Sequence, residues 1–128
     1  MIGVYSEEKV QEMTKLLKEQ ELMAEDDKVI NNVSGDRYSW TIGTRGHLYF
    51  TERSFIFHGG FDSIAIPYSS IKNIKKCCIG RGAFPFLPIG MMVYYEDENG
   101  KQKKVRISVM KRAIWMQELA DKAGITLQ

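Results

Sequence analysis

Gly46-His47-Leu48-Tyr49-Phe50-Thr51-Glu52-Arg53-Ser54-Phe55-Ile56-Phe57 contains two apolar segments separated by the polar tetrad Thr51 to Ser54. Leu48, Phe50, Phe55 and Phe57 recur at the period of two that buries one face of a strand, so the stretch reads as two paired β segments with these four side chains in a core. Similar short segments follow at close intervals. Ser54-Phe55-Ile56-Phe57-His58 precedes Ser63-Ile64-Ala65-Ile66, which stops at Pro67, and further on come Met91 to Tyr95 and Val105 to Val109. Asn99-Gly100 lies between the last two, where glycine supplies the positive φ of a hairpin turn. This cadence is that of an antiparallel sandwich or barrel.

Upstream, Val29 and Ile30 start a first strand, and the turn-forming residues Asn31 to Gly46 surround Tyr38 to Ile42, whose pairing the sequence does not fix. Downstream, Ile71 and Ile74, three apart, predict a turn leading into a strand through Lys75 to Ile79, followed by a loop from Gly80 to Pro88. Helices flank the β region. Residues 6–24 form the first, with Ser6 as cap, Glu7 and Glu8 at the positive end of the dipole, and Val10, Met13, Leu16, Leu17 and Met23 at helical spacing. The second runs from Met110 to Ala123, with Ala113, Met116, Leu119, Ala120 and Ala123 as its apolar stripe, Trp115 at the flank of that stripe, and Gly124 as its stop. An amphipathic helix bearing a large aromatic suits the open end of a barrel.

A chain of 128 residues with 44% hydrophobic and 27% charged residues has the size and balance of one globular domain. No apolar run nears the roughly 18 residues of a membrane span, and the N-terminus lacks the basic flank and apolar stretch of a signal peptide. Both cysteines, Cys77 and Cys78, are adjacent and so cannot supply a separated disulfide pair. A cytoplasmic location follows, with association at the membrane periphery as a further expectation. In an extended segment the two thiols point to opposite faces, so they are expected to pack as ordinary small hydrophobes and hold no metal. Charge is distributed unevenly. Residues 1–71 carry seven Lys/Arg and eleven Asp/Glu, net −4, whereas residues 72–112 carry ten Lys/Arg and three acids, net +7.

The segment Gly46 to Phe57 resembles the central signature of the GRAM and bacterial pleckstrin-homology-like (PH-like) families, G-x-L-Y-hydrophobic-T followed by a strand ending in I-F. Ile64-Ala65-Ile66-Pro67-Tyr68-Ser69-Ser70-Ile71-Lys72-Asn73-Ile74 is similar to the next family segment, I-x-I-P, a few polar residues, then I-x-x-I. Pro88-Ile89-Gly90-Met91 and the acidic turn before Val105 resemble the later hairpin. The resemblance covers about Val29 to Leu119 and implies a mainly β fold: a bent antiparallel sandwich of about seven strands, closed by a C-terminal helix that often holds a Trp. On this reading residues 26–128 are the GRAM/PH-like domain, and residues 1–25 are an added amphipathic helix packed on it.

No catalytic constellation is present: neither His lies beside a recognisable nucleophile or paired carboxylate, and P-loop, dinucleotide and metal-ligand patterns are absent. A non-enzymatic binding module without cofactor or metal is therefore expected. Its candidate anion- or lipid-binding residues are Lys72, Lys75, Lys76 and Arg81, joined by Lys101, Lys103, Lys104 and Arg106 on the later hairpin. The same lysines also read as a solvated strand edge that resists aggregation. Phe84, Phe86 and Leu87, in a proline-bracketed loop, are candidates for apolar contact with a bilayer interface or a partner. PH domains that bind phosphoinositides resemble this chain but carry a K-x(n)-K/R-x-R motif; here Lys28 and Arg37 are matched and Ser39 replaces the last Arg. The expected partner is a protein or an anionic membrane surface. The alternative is an adaptor or homo-oligomer built on exposed strand edges. Nucleic acid is not expected, because the aromatic positions read as core and the first half is acidic. A last expectation is that the first helix docks its stripe on the sheet, either masking the basic strands with its acidic face or packing elsewhere.

Overall fold

The computed structural model describes residues 3–39, 42–60, 62–81 and 84–127, and only the backbone of residues 39, 42, 80, 81 and 84–87. Strands β1 (Val29–Ser39) and β2 (Ile42–Thr51) form a long antiparallel pair in which Tyr38 faces Gly43 and Ser39 faces Ile42; Trp40 and Thr41 of the stretch whose pairing was open lie outside the described residues. The glycines expected to mark turns sit inside these strands. A Cβ on Gly46 would lie 2.5 Å from the His58 carbonyl oxygen and 2.7 Å from the Phe57 ring, and one on Gly35 would lie 2.9 Å from Leu48. Glycine here allows close approach of neighbouring strands.

The remaining strands are β3 (Ser54–Gly59), β4 (Ser63–Pro67), β5 (Ile71–Arg81), β6 (Phe84–Glu96) and β7 (Gln102–Val109), with one 3-10 turn at Tyr68–Ser70. Their order is β4-β3-β2-β1-β7-β6-β5, and every pairing is antiparallel. Two expectations are corrected. Ile71 to Ile74 is strand rather than turn: Ile71 pairs with Tyr95 and Asn73 with Tyr94, leaving Lys72 as the extra residue of a bulge. That insertion returns Ile71 and Ile74 to one buried face at a spacing of three, which imitates a helical period. Most of the expected Gly80 to Pro88 loop is also strand, since β5 runs to Arg81 and β6 starts at Phe84; Gly82 and Ala83 lie outside the described residues.

Residues from both ends of the strand order share one core. Leu48, Phe50, Phe55, Phe57 and Ile66 of β2 to β4 pack with Ile71, Ile74, Met91, Val93, Val105 and Ile107 of β5 to β7, so the sheet bends back on itself. Helix α2 (Arg112–Ala123) closes this core with Trp115, Met116, Leu119 and Ala120. Its stripe is rotated from the expected one: Ala113 is exposed, and Trp115, 8% exposed, stacks on Phe50 at 5.4 Å between ring centroids. Gly124, at φ +71, ends the helix in the left-handed conformation.

Helix α1 (Glu7–Glu19) is capped as expected, Ser6 Oγ accepting from Lys9 N–H at 3.3 Å. It ends earlier than predicted, because Glu21 turns left-handed (φ 59) and Leu22 N–H bonds to the Leu17 carbonyl at 3.0 Å. Met23 is thereby returned to a second cluster with Leu17, Tyr49 and Ile56. Tyr49 and Ile56 lie on the face of β2 and β3 opposite Leu48, Phe50, Phe55 and Phe57. Both faces of these strands are covered, which is why they read as near-continuous apolar runs. The helix docks its apolar stripe on the sheet, on the β2–β3 face.

The signature Thr51 closes the β2–β3 turn. Its hydroxyl donates to the buried Asp27 carboxylate (2.7 Å) and accepts from Ser54 N–H (2.9 Å), while Asp27 also accepts from Lys28 and Glu52 N–H (2.8 and 3.1 Å). Tyr68 Oη donates to the Thr51 carbonyl at 2.7 Å. On the surface, Asp26 accepts two bonds from Arg53, whose guanidinium holds that carboxyl below its ordinary pKa.

Candidate functional site

Strand β5 is one end of the strand order, and Lys72, Lys75 and Lys76 are all exposed on it. They do not form one patch. Lys72 occupies the bulge. Lys75 pairs with Met92 and holds its ammonium 5.6 Å from the Tyr94 ring centroid, on the outer sheet face where Tyr94 pairs with Lys104 and Met92 with Arg106. Lys76 pairs with Met91, a core residue, and so lies on the opposite face, on the side of α2. Arg81 pairs with Phe84 through the backbone. The side chains of Arg81, Phe84, Phe86 and Leu87 lie outside the described residues.

Lys76 lines a shallow hollow with two cations that were not singled out in the sequence, Lys111 and Arg112, at the turn from β7 into α2. Lys111 is held left-handed (φ 57), and no side chain caps the helix there. Arg112 Nη1 donates to the carbonyls of Cys77 (3.0 Å) and Gly90 (3.1 Å), bracing β5 against β6 where their register shifts. The same hollow is lined by Met110 and Ile114, the two most exposed large hydrophobic residues among those described. Among the described residues, Lys76, Lys111 and Arg112 form no ion pair. Their convergence depends on β5 and β7 both bordering β6, and adjacent Lys111 and Arg112 gave the only signal of it. Cys77 is half-buried, and burial raises its thiol pKa; Cys78 is exposed, against the expectation that both pack inside.

A second concavity, of about 650 Å³, lies beside α1 along β1, β2 and β3 and reaches Ile89 of β6 and Ser108, Val109 and Met110 at the end of β7, sharing Ile89, Val109 and Met110 with the first hollow. It too was missed, because it depends on the N-terminal arm. Tyr5 stacks face to face on His47 (3.7 Å, 2°) and donates its backbone N–H to Asn32 Oδ1 at 2.7 Å. That oxygen also receives His47 Nε2–H at 2.8 Å. His58 donates from Nε2 to Gln20 Oε1 at 3.1 Å. Burial pushes the pKa of His47 down to about 4 and raises that of the Tyr49 phenol. Both imidazoles bond to side-chain amide oxygens, and the contacts of Tyr5 with Asn32 and His47 anchor the arm to β1 and β2. Among the described residues no group of three or more His, Cys, Asp or Glu is placed to hold a metal ion. Arg37, half of the partial phosphoinositide motif, is ion-paired with Asp62.

The anchor predicts a pH dependence. Unfolded His47 takes up its proton near pH 6.5 and folded His47 near pH 4, so its contribution is complete above pH 6.5 and is lost as pH falls towards 4. The loss is up to about 3 kcal/mol. His58, also lowered by burial, acts in the same direction. Denaturant melts at a series of pH values should show the slope, and His47→Gln, which keeps a donor for Asn32, should flatten it. An unchanged slope in that variant would remove His47 as its source.

No protein-family model and no curated protein matches this chain. Solved structures do. A C-terminal domain of an unknown protein from Leishmania infantum superposes with TM-score 0.66 at 12% identity, covering 88% of this chain and 95% of that one. The Vps36 N-terminal PH domain gives TM-score 0.57 at 13% identity over 80% of this chain and 83% of that one. A structure of the DH/PH domains of a RhoGEF gives 0.59 at 8% identity, covering 89% of this chain and 35% of that one. At these identities the likeness is one of fold. No helix among the described residues is long and apolar enough to cross a membrane. Seven antiparallel strands bent around one core and closed by a C-terminal helix give this chain the PH-like fold.

Proposed function

We propose that the protein is a non-enzymatic binding module of GRAM/PH-like type that docks on an anionic membrane surface. The observation that carries this reading is the meeting of Lys76 with Lys111 and Arg112 in one hollow whose lining contains no acidic residue. The acid-rich segment 1–27 contributes no residue to the lining of this hollow, and its helix packs against Tyr49 and Ile56. Each Lys or Arg near an anionic leaflet contributes on the order of 1 kcal/mol, so three acting together give measurable attraction, weakened by salt. The GRAM-like signature of residues 46–57 agrees with such a role. Assembly through strand edges has less in its favour, because the two terminal strands carry devices that resist pairing: a bulge and exposed lysines on β5, and Pro67 ending the five-residue β4.

The test is co-sedimentation with phosphatidylcholine vesicles with and without phosphatidylserine. Binding to the anionic vesicles alone is expected, falling as salt is raised, with Lys76→Glu/Lys111→Glu reducing it at least ~10-fold. Equal binding to both vesicle types would refute the reading. So would absence of binding, and light scattering of the same samples would then show whether a closed oligomer forms instead.

A further inference from the structure

The turn from β7 into α2 combines exposed apolar side chains with cations in a way that selects one orientation on a bilayer. Met110 is 72% exposed and Ile114 59%. They lie four residues apart across the left-handed Lys111, and Ile114 N–H bonds to the Lys111 carbonyl at 3.0 Å, so the turn is fixed. Ile114 stands outside the buried stripe of α2, which begins at Trp115. Neither side chain is needed to fill the core. Both line the hollow that also holds Lys76, Lys111 and Arg112.

Resting on the membrane reading above, we propose that Met110 and Ile114 are the inserting element of this surface, entering the acyl region of an acidic phospholipid bilayer while Lys76, Lys111 and Arg112 sit at the phosphate level. The physical argument is one of matching layers. An interface that is apolar inside and anionic at its rim is complementary to a projecting apolar pair ringed by cations. A small dissolved anion would use the cations and gain nothing from Met110 or Ile114. An acidic protein partner would need its own apolar pocket for them, and a bilayer needs none. Arg112 is suited to the rim because its hydrogen bonds to Cys77 and Gly90 go to neutral carbonyls and leave its charge unneutralised. The element belongs to the end of β7, whereas the partial phosphoinositide motif runs from Lys28, just before β1, along that strand, with Arg37 engaged by Asp62.

The experiment measures binding of the full chain to phosphatidylcholine vesicles containing about 30 mol% phosphatidylserine. The variants are Met110→Ser/Ile114→Ser, Lys76→Glu/Lys111→Glu, and Ile30→Ser as an exposed apolar control from the β1 bulge, each checked for an unchanged melting temperature. The Ser pair should weaken binding at least ~10-fold even at low salt, and the control should leave it unchanged. A polarity-sensitive dye on Ile114→Cys, in a Cys77→Ser/Cys78→Ser background, should shift to the blue on vesicle addition. Wild-type binding with no effect of the Ser pair and no dye shift would overturn the inserting element while leaving membrane docking intact. Absence of wild-type binding to the anionic vesicles would overturn both.

Discussion

Replacing Trp115 with alanine is expected to destabilise the protein by about 3–5 kcal/mol, read as a drop in denaturant midpoint with little change in slope. The indole is 8% exposed and stacks on Phe50, so the substitution removes apolar burial and leaves a cavity between α2 and β2. Phe50 and Leu119, both fully buried, belong to the same core cluster as Trp115. Both are held by their own strand and helix, so the walls collapse only partly. A total of this size is a large share of the 5–15 kcal/mol that stabilises a typical domain. Trp115→Phe should recover part of it by retaining a ring. A cost under about 1 kcal/mol for the alanine variant would mean that α2 is not the closure of this core.

Leu17→Ala tests the other side of the sheet, with an expected cost of about 2–5 kcal/mol. Leu17 is fully buried in the cluster with Met23, Tyr49 and Ile56. An isolated helix of the length of α1 is marginal in water, so its order depends on this contact. The variant should therefore lose stability and also expose the buried Tyr49 phenol, which has no hydrogen-bond partner among the described residues. Hydrogen exchange should show α1 amides losing protection together with β2 and β3. Loss confined to α1, with the global midpoint unchanged, would show that the helix folds onto an independently stable sheet.

The strand cadence from His47 to Val109 was legible because each segment keeps a period of two or is bounded by a turn residue, and those signals are local. The same is true of the Ser6 cap and the Gly124 stop. Local signals failed where two strands press together: Gly35 and Gly46 looked like turns, yet each is the small residue that a neighbouring side chain or carbonyl requires. They failed again at Lys72, whose bulge gave Ile71 and Ile74 a helical spacing. Rotation of the α2 stripe onto Trp115 was hidden because Ala113 is small enough to suit either environment.

Composition, the order of apolar segments and the GRAM-like signature were sufficient for a mainly β, PH-like chain with a helix at each end, since backbone pairing and amphipathic burial are written in short-range periodicity. Which surfaces meet was decided by the tertiary structure alone. The sequence put Lys72, Lys75 and Lys76 in one group, but the pleat sends Lys75 and Lys76 to opposite faces, and Lys76 joins Lys111 and Arg112, some 35 positions further along the chain. Tyr5 likewise reaches His47 and Asn32 only because α1 docks on β2 and β3. Proximity between residues far apart in sequence is set by strand order and bend, and no single segment carries that information.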